Sequence, residues 1–303
     1  MESGAWLKVV YRVRLVRGIT NNIVQIRRRG LMEVRAQHSL FGVNGKQTDG
    51  GYTDKFVVDQ RFAVKFPFRK EDIVAWARES FNSDDGADDH FNECLAKCAP
   101  LLCAGITMYS PIKRFVTEGM KVGIRGLGGL GQMGIKIASK MNAEVYALSH
   151  SESKKDEALR LGAKHFVHIS ASTGLPEIFN TEENKLDVIL DTVGTVPTET
   201  FPDPFYDMAM DALGTHGKYV LIGLQTKPVA VLGVKFIFAD KSVHGSLIGG
   251  MKETREMVDF CWKNEIFPDI NVIPVSKIQE VLQKLEKGND SIIRYVIDCS
   301  TFE

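Results

Sequence analysis

The chain carries no net charge, with 38 lysines and arginines against 38 aspartates and glutamates. A protein that grips nucleic acid or an anionic membrane surface needs a basic excess, so neither partner is expected. Long apolar runs are missing too. No stretch approaches the roughly 20 residues of a membrane-spanning helix, and no apolar leader of the secretory kind opens the sequence. Cysteine is scarce: Cys94, Cys98, Cys103, Cys261 and Cys299 make an odd five. That excludes a disulfide framework and points to reduced thiols in a cytoplasmic setting. No internal repeat or long low-complexity tract appears. Acid is nearly absent from the first 36 residues, where Lys8, Arg12, Arg14, Arg17, Arg27, Arg28, Arg29 and Arg35 face only Glu2 and Glu33. The length suggests about two domains, and an apolar fraction of 44% can fill a sizeable core.

The most informative stretch present is Gly126-Leu127-Gly128-Gly129-Leu130-Gly131. It follows the apolar run Lys121–Arg125 and opens a helical segment. Strand, glycine turn, helix is the context in which this spacing signals a dinucleotide site. Gly126 permits the tight turn, Gly128 lets the backbone approach a diphosphate, and Gly131 lets helix and strand pack closely. The helix N-terminus offers unpaired N–H groups to the phosphates. The next strand, Ala143–Leu148, decides which dinucleotide. NAD sites place a carboxylate at its tip, but this chain reads Ser149, His150, Ser151, Glu152, Ser153, Lys154. Hydroxyls and a lysine hold a 2′-phosphate that a carboxylate would repel, so NADP(H) is expected. Glu152 lies past the tip and should face solvent. Ser151 or Ser153 could also cap the helix that follows.

Along the chain, Val9–Val16 has strand character, residues 42–51 form a turn-rich loop, and Tyr52–Val64 reads as strand. Residues 72–89 are an acidic surface excursion. Cys94–Arg114 is apolar and helical, interrupted near Pro100 and around Pro111. His90, Cys94 and Cys98 share one helical face, which reads as buried thiols, since a metal needs a further ligand or water and a defined geometry. From Gly119 strands at 121–125, 143–148, 165–168, 186–190 and 218–222 alternate with helices at about 129–141, 153–161, 174–180 and 203–213. Such alternation predicts an α/β fold with a doubly wound parallel sheet. Lys241–Ile248, a helix at 252–263 and a strand at 292–298 follow.

The segment Ala99–Pro111 resembles the medium-chain, zinc-dependent alcohol dehydrogenases, nearest the cinnamyl alcohol dehydrogenases and related NADP-dependent aldehyde reductases. Gly50–Pro67, Gly126–Gly131, Ser149–Lys155, Asp191-Thr192-Val193, Gly245–Thr254 and Arg294–Asp298 fit the same pattern. The resemblance implies a Rossmann domain at 104–249. It further implies an incomplete β-rich GroES-like catalytic domain at 37–103, with an acidic insertion at 70–91, and a return to that domain at 250–303. Residues 1–36 are unassigned. By resemblance Cys103 is a catalytic zinc ligand and Thr107 stands beside the nicotinamide. Gly126, Gly128, Gly129, Leu130 and Gly131 hold the diphosphate. Ser149, His150, Ser151 and Lys154 surround the 2′-phosphate, and Thr192, Val193, Gly223, Ser246 and Ile248 line the nicotinamide pocket. A small alcohol or aldehyde substrate follows, as does a homodimer built from Val229–Phe238 with Lys241–Leu247.

Two departures qualify this. The family's Gly-x-Cys-His-x-Asp and Gly-His-Glu stretches, which carry the other catalytic zinc ligands, do not occur here. The cysteine run of the structural zinc module is replaced by Gln25–Gly30 through His38-Ser39-Leu40. The expectation is therefore an NADP-dependent alcohol dehydrogenase or aldehyde reductase with a shortened or altered catalytic half, no structural zinc and an incomplete catalytic zinc site. The alternative is a catalytically silent protein that binds NADP or dimerises.

Overall fold

A computed structural model describes residues 12–13, 55–56, 63–68, 71–72, 87–169, 176–194, 205–225, 228–286 and 294–301. The unassigned residues 1–36 and the excursion at 72–89 thus lie almost wholly outside the described residues. Of the early strands, only Arg12–Val13 (β1) and Lys55–Phe56 (β2) are described, paired in parallel.

Two helices come next, α1 at Ala87–Cys98 and α2 at Ala104–Phe115, joined by a 3-10 turn over Ala99–Leu102. The break near Pro100 is where the sequence places it. Pro111 does not interrupt α2, which runs through it to Phe115. An interior proline costs a helix one N–H bond, and burial of every residue from Ala104 to Ile112 outweighs that loss.

The main sheet comprises β3 (Lys121–Arg125), β4 (Glu144–Ser149), β5 (His165–His168), β6 (Leu186–Asp191), β7 (Leu213–Leu221) and β8 (Ser242–Gly245). Every pairing is parallel, in the order β5-β4-β3-β6-β7-β8. This is the doubly wound arrangement expected, with its switch point between β3 and β6. The central strands are mostly apolar between their ends because both faces are covered. On one face Val122, Ile124, Val145, Ala147, Val188 and Leu190 pack with α2, with α3 (Gly129–Lys140) and with α7 (Met251–Lys263). On the other, Tyr146, Leu148, Ile189 and Tyr219 pack with α5 (Phe205–Ala212) and Phe179. Phe66 and Phe68 join the first cluster, and Phe68 stacks on Trp262 at 4.5 Å.

Helix α4 is short, Lys155–Arg160, behind a 3-10 turn at Glu152–Lys154. Of the helix expected at 174–180, residues 176–180 are described and hold a 3-10 turn, Glu177–Phe179. Strand β7 starts at Leu213, before the expected 218. Helix α6 (Val234–Ile237) precedes β8. The chain ends in a parallel pair, β9 (Ile270–Pro274) with β10 (Arg294–Asp298), linked by α8 (Ile278–Glu286).

Among the described residues no single helix is long and apolar enough to cross a membrane. The bent pair Phe91–Leu102 and Ala104–Phe115 passes by length and composition. Its Leu95, Cys98, Leu101, Ile106, Met108 and Ile112 are buried in the core, which accounts for the apolar composition.

Candidate cofactor site

The crevice at the carboxyl ends of β3 and β6 is built around the glycine turn. Gly126 has φ +88, and a Cβ there would lie 2.7 Å from Val193 Cγ2 and 2.8 Å from Thr192 Oγ1. A Cβ on Gly131 would lie 1.9 Å from the Gly126 carbonyl oxygen, so helix and turn touch backbone to backbone. Helix α3 begins without help. Its N-cap is Gly128, no side chain caps it, and its first turn holds no acidic residue. Its orphan N–H groups are thus left for an anion.

A residue of the last strand completes this end. Arg294, the first residue of β10, lies directly over Gly129, where a Cβ would be 2.0 Å from Arg294 Nε. That Nε is buried with no hydrogen-bond partner among the described residues. Burial alone holds the Arg294 pKa below its ordinary value. A buried cation against the positive end of a helix is unfavourable until an anion joins them. The signal available in the sequence was a lone arginine opening an apolar strand.

At the tip of β4, Ser149 is the last strand residue and is buried. Its Oγ accepts from the Ser151 N–H at 3.1 Å. Ser151 occupies the N-cap position yet makes no side-chain cap bond; its hydroxyl meets that of Ser153 at 2.9 Å. The capping role open to these serines is not the one seen. The His150 carbonyl accepts from His168 Nε2 at 3.1 Å. Lys154 closes the 3-10 turn, and Glu152 faces solvent as expected.

Asp191 ends β6 and organises the floor. Its Oδ1 accepts from the Val193 N–H at 3.0 Å, and its Oδ2 accepts from Arg125 Nη1 at 2.9 Å and from the Tyr219 hydroxyl. Its carbonyl accepts from Ile222 and Gly223, both at 2.9 Å. Thr192 Oγ1 donates to the Arg125 carbonyl at 2.7 Å. The Arg125 guanidinium lies 3.8 Å from the Phe205 ring centroid. Burial pushes Asp191 above the ordinary carboxylate range despite Arg125, and pushes Tyr219 up as well.

Beyond β8, Ser246 is buried and accepts from Arg114 Nη2 at 2.6 Å. The Ser110 hydroxyl donates to Glu253 Oε2 at 2.9 Å. Between these two ties Ile248 takes φ +51, a left-handed conformation that a β-branched residue rarely adopts.

Cys103 holds the N-cap position of α2, makes no side-chain cap bond and is half-buried. Thr107 lies one turn on, and its Oγ1 is buried without a partner among the described residues. Cys98 and Cys261 are fully buried, and burial pushes both thiols up, Cys261 to about 12. Among the described residues no three His, Cys, Asp or Glu side chains gather as metal ligands. The side chain of His90 and all of His38 lie outside the described residues.

Fold and site together define a doubly wound α/β protein with a Rossmann-type glycine turn at its switch point. Residues 129–263 match the zinc-binding dehydrogenase family. The chain is 38% identical over 259 residues to a probable formaldehyde dehydrogenase, AdhA, of Bacillus subtilis, covering 85% of this chain and 64% of that protein. A cinnamyl alcohol dehydrogenase from Sorghum bicolor superposes with TM-score 0.68 at 31% identity, over 86% of this chain and 66% of the other. The cinnamyl alcohol dehydrogenase of Helicobacter pylori, solved with NADP(H), gives 0.65 at 33%, over 87% and 67%. The chain belongs to the medium-chain zinc-type alcohol dehydrogenase family, on its cinnamyl alcohol dehydrogenase-like side. It spans less than two-thirds of the Bacillus relative's length.

Proposed function

We propose that this chain binds NADP(H) and serves hydride transfer between that cofactor and a small primary alcohol or aldehyde. The observation that carries the binding is Arg294, half-buried over the uncapped start of α3, with its Nε buried and without a partner among the described residues. A diphosphate there accepts from the guanidinium and from the helix N–H groups at once. Gly126, Gly128, Gly129, Leu130 and Gly131 would hold it. Ser149, His150, Ser151 and Lys154 would surround the 2′-phosphate, in line with the NADP(H) of the Helicobacter relative. Thr192, Val193, Gly223, Ser246 and Ile248 would frame the nicotinamide, with Thr107 offering its orphan hydroxyl. Bound there, the nicotinamide supplies hydride chemistry; the chain's own groups bind it, orient it and exclude water.

Zinc fits less well. A catalytic zinc takes three protein ligands and an open position, and among the described residues Cys103 stands without companions. No step is drawn through a metal. That donor set favours a second reading, cofactor binding without turnover. Titration with NADPH and NADH tests the first claim: NADPH should bind more tightly, and Arg294→Met should weaken both. Metal analysis with an NADPH–cinnamaldehyde assay separates the two readings. Stoichiometric zinc, with turnover abolished by Cys103→Ser, establishes the enzyme. Less than one zinc and no aldehyde reduction, with NADPH still bound, establishes the silent form.

A further inference from the structure

Arg294 has a long, flexible side chain, so where its guanidinium rests depends on where its backbone is held. That backbone is tied to one residue. The Arg294 N–H donates to the Asp269 carbonyl at 2.9 Å. The Asp269 N–H donates to Gln132 Oε1 at 2.9 Å, and Gln132 is fully buried in the first turn of α3. Asp269 Oδ1 accepts from Lys136 Nζ, one turn further along α3, at 3.0 Å; Oδ2 accepts from Arg160 of α4. Lys136 Nζ also reaches the Phe267 carbonyl at 2.7 Å. The peptide leading into β9 is therefore pinned at several points to the helix whose N-terminus faces the glycine turn.

We propose that Asp269, acting with Gln132, is a positioning residue that sets Arg294 over the diphosphate turn. The assignment rests on the NADP(H) reading above. The pin and the phosphate site share α3, so the height of the guanidinium above Gly129 is fixed within one rigid element. With the Asp269 carboxylate removed, Lys136 and Arg160 lose their shared anchor and the strand start carrying Arg294 is free to shift. Displacements of about an ångström matter at such a contact, since aligned donors lose strength steeply with geometry.

The test is a double-mutant cycle on the full chain with two probes, NADPH and adenosine 2′-monophosphate, which has the 2′-phosphate but no diphosphate. Arg294→Met should weaken NADPH about tenfold to a hundredfold, the range for a lost charge-assisted bond, and leave adenosine 2′-monophosphate within about twofold. Asp269→Ala should weaken NADPH by about fivefold or more with the same selectivity, and in the Arg294→Met background it should add almost nothing. Asp269→Asn, which keeps the volume, replaces the alanine variant if that variant does not fold. Equal losses for both probes, or an undiminished Asp269 effect without Arg294, would reduce Asp269 to a general brace and overturn the assignment. A wild-type chain that binds neither probe removes the NADP(H) reading itself, and the assignment with it.

Discussion

Arg125 and Asp191 face each other across neighbouring parallel strands and are nearly out of solvent. Breaking such a pair leaves one buried charge uncompensated. Arg125→Met should therefore cost about 3–5 kcal/mol of unfolding free energy in urea. Tyr219→Phe, which removes one donor to the same carboxylate, should cost about 1–3 kcal/mol. A change below about 0.5 kcal/mol in both would mean the network contributes nothing net. At the cofactor end, Lys154→Ala should lower NADPH affinity and spare NADH, and Ser149→Asp should shift preference toward NADH. Equal losses for both cofactors would show that these residues do not read the 2′-phosphate. The glycine turn was legible in the sequence because its residues are adjacent and its spacing is set by backbone sterics. Arg294 and the Arg125–Asp191 pair were not. Each meets its partner only through tertiary packing, and no local spacing records that meeting.

At the scale of elements, periodicity placed the central strands to within a residue or so, because buried parallel strands are mostly apolar between their ends. It failed where burial overrode local propensity, as when α2 ran through Pro111, and where a helical pattern proved too short to sustain more than a 3-10 turn at Glu177–Phe179. The junction of α3, α4 and β9 yields a pH prediction. Burial works to raise the Asp269 carboxyl, but bonds and attraction from Lys136 and Arg160 outweigh it and hold the carboxyl below its ordinary value. A carboxylate with a depressed folded pKa contributes stability that is complete above the unfolded value near 4 and is lost as pH falls through the folded one. Asp269→Asn should thus destabilise the chain at pH 7, and that penalty should begin to shrink only as pH falls below about 4. Urea midpoints of both proteins from pH 7 to pH 3 should converge on acidification. Parallel curves would show that the carboxylate's charge is not what ties the elements together.

At the scale of the molecule, six of the exposed large apolar side chains among the described residues lie beside one edge of the main sheet. Strand β8 is last in the order, and around it Leu232, Val234, Ile237, Phe238, Val243 and Leu247 are exposed, Ile237 by 79% and Phe238 by 86%. An exposed edge strand flanked by large apolar side chains is a template for pairing, and proteins normally cover or charge such an edge. This surface coincides with Val229–Phe238 and Lys241–Leu247, the segments whose resemblance implies a homodimer. A stable two-fold contact of ordinary size covers about 800 Å² on each partner, so one charge at its apolar centre should be disruptive. The wild-type chain is expected to sediment as a dimer at micromolar concentration, and Phe238→Asp as a monomer. Phe238 lies away from the glycine turn, so NADPH affinity should change by less than about twofold in the variant. A wild-type chain that is already monomeric would leave the β8 edge without its proposed partner. A dimer that survives Phe238→Asp would place the contact elsewhere on the molecule.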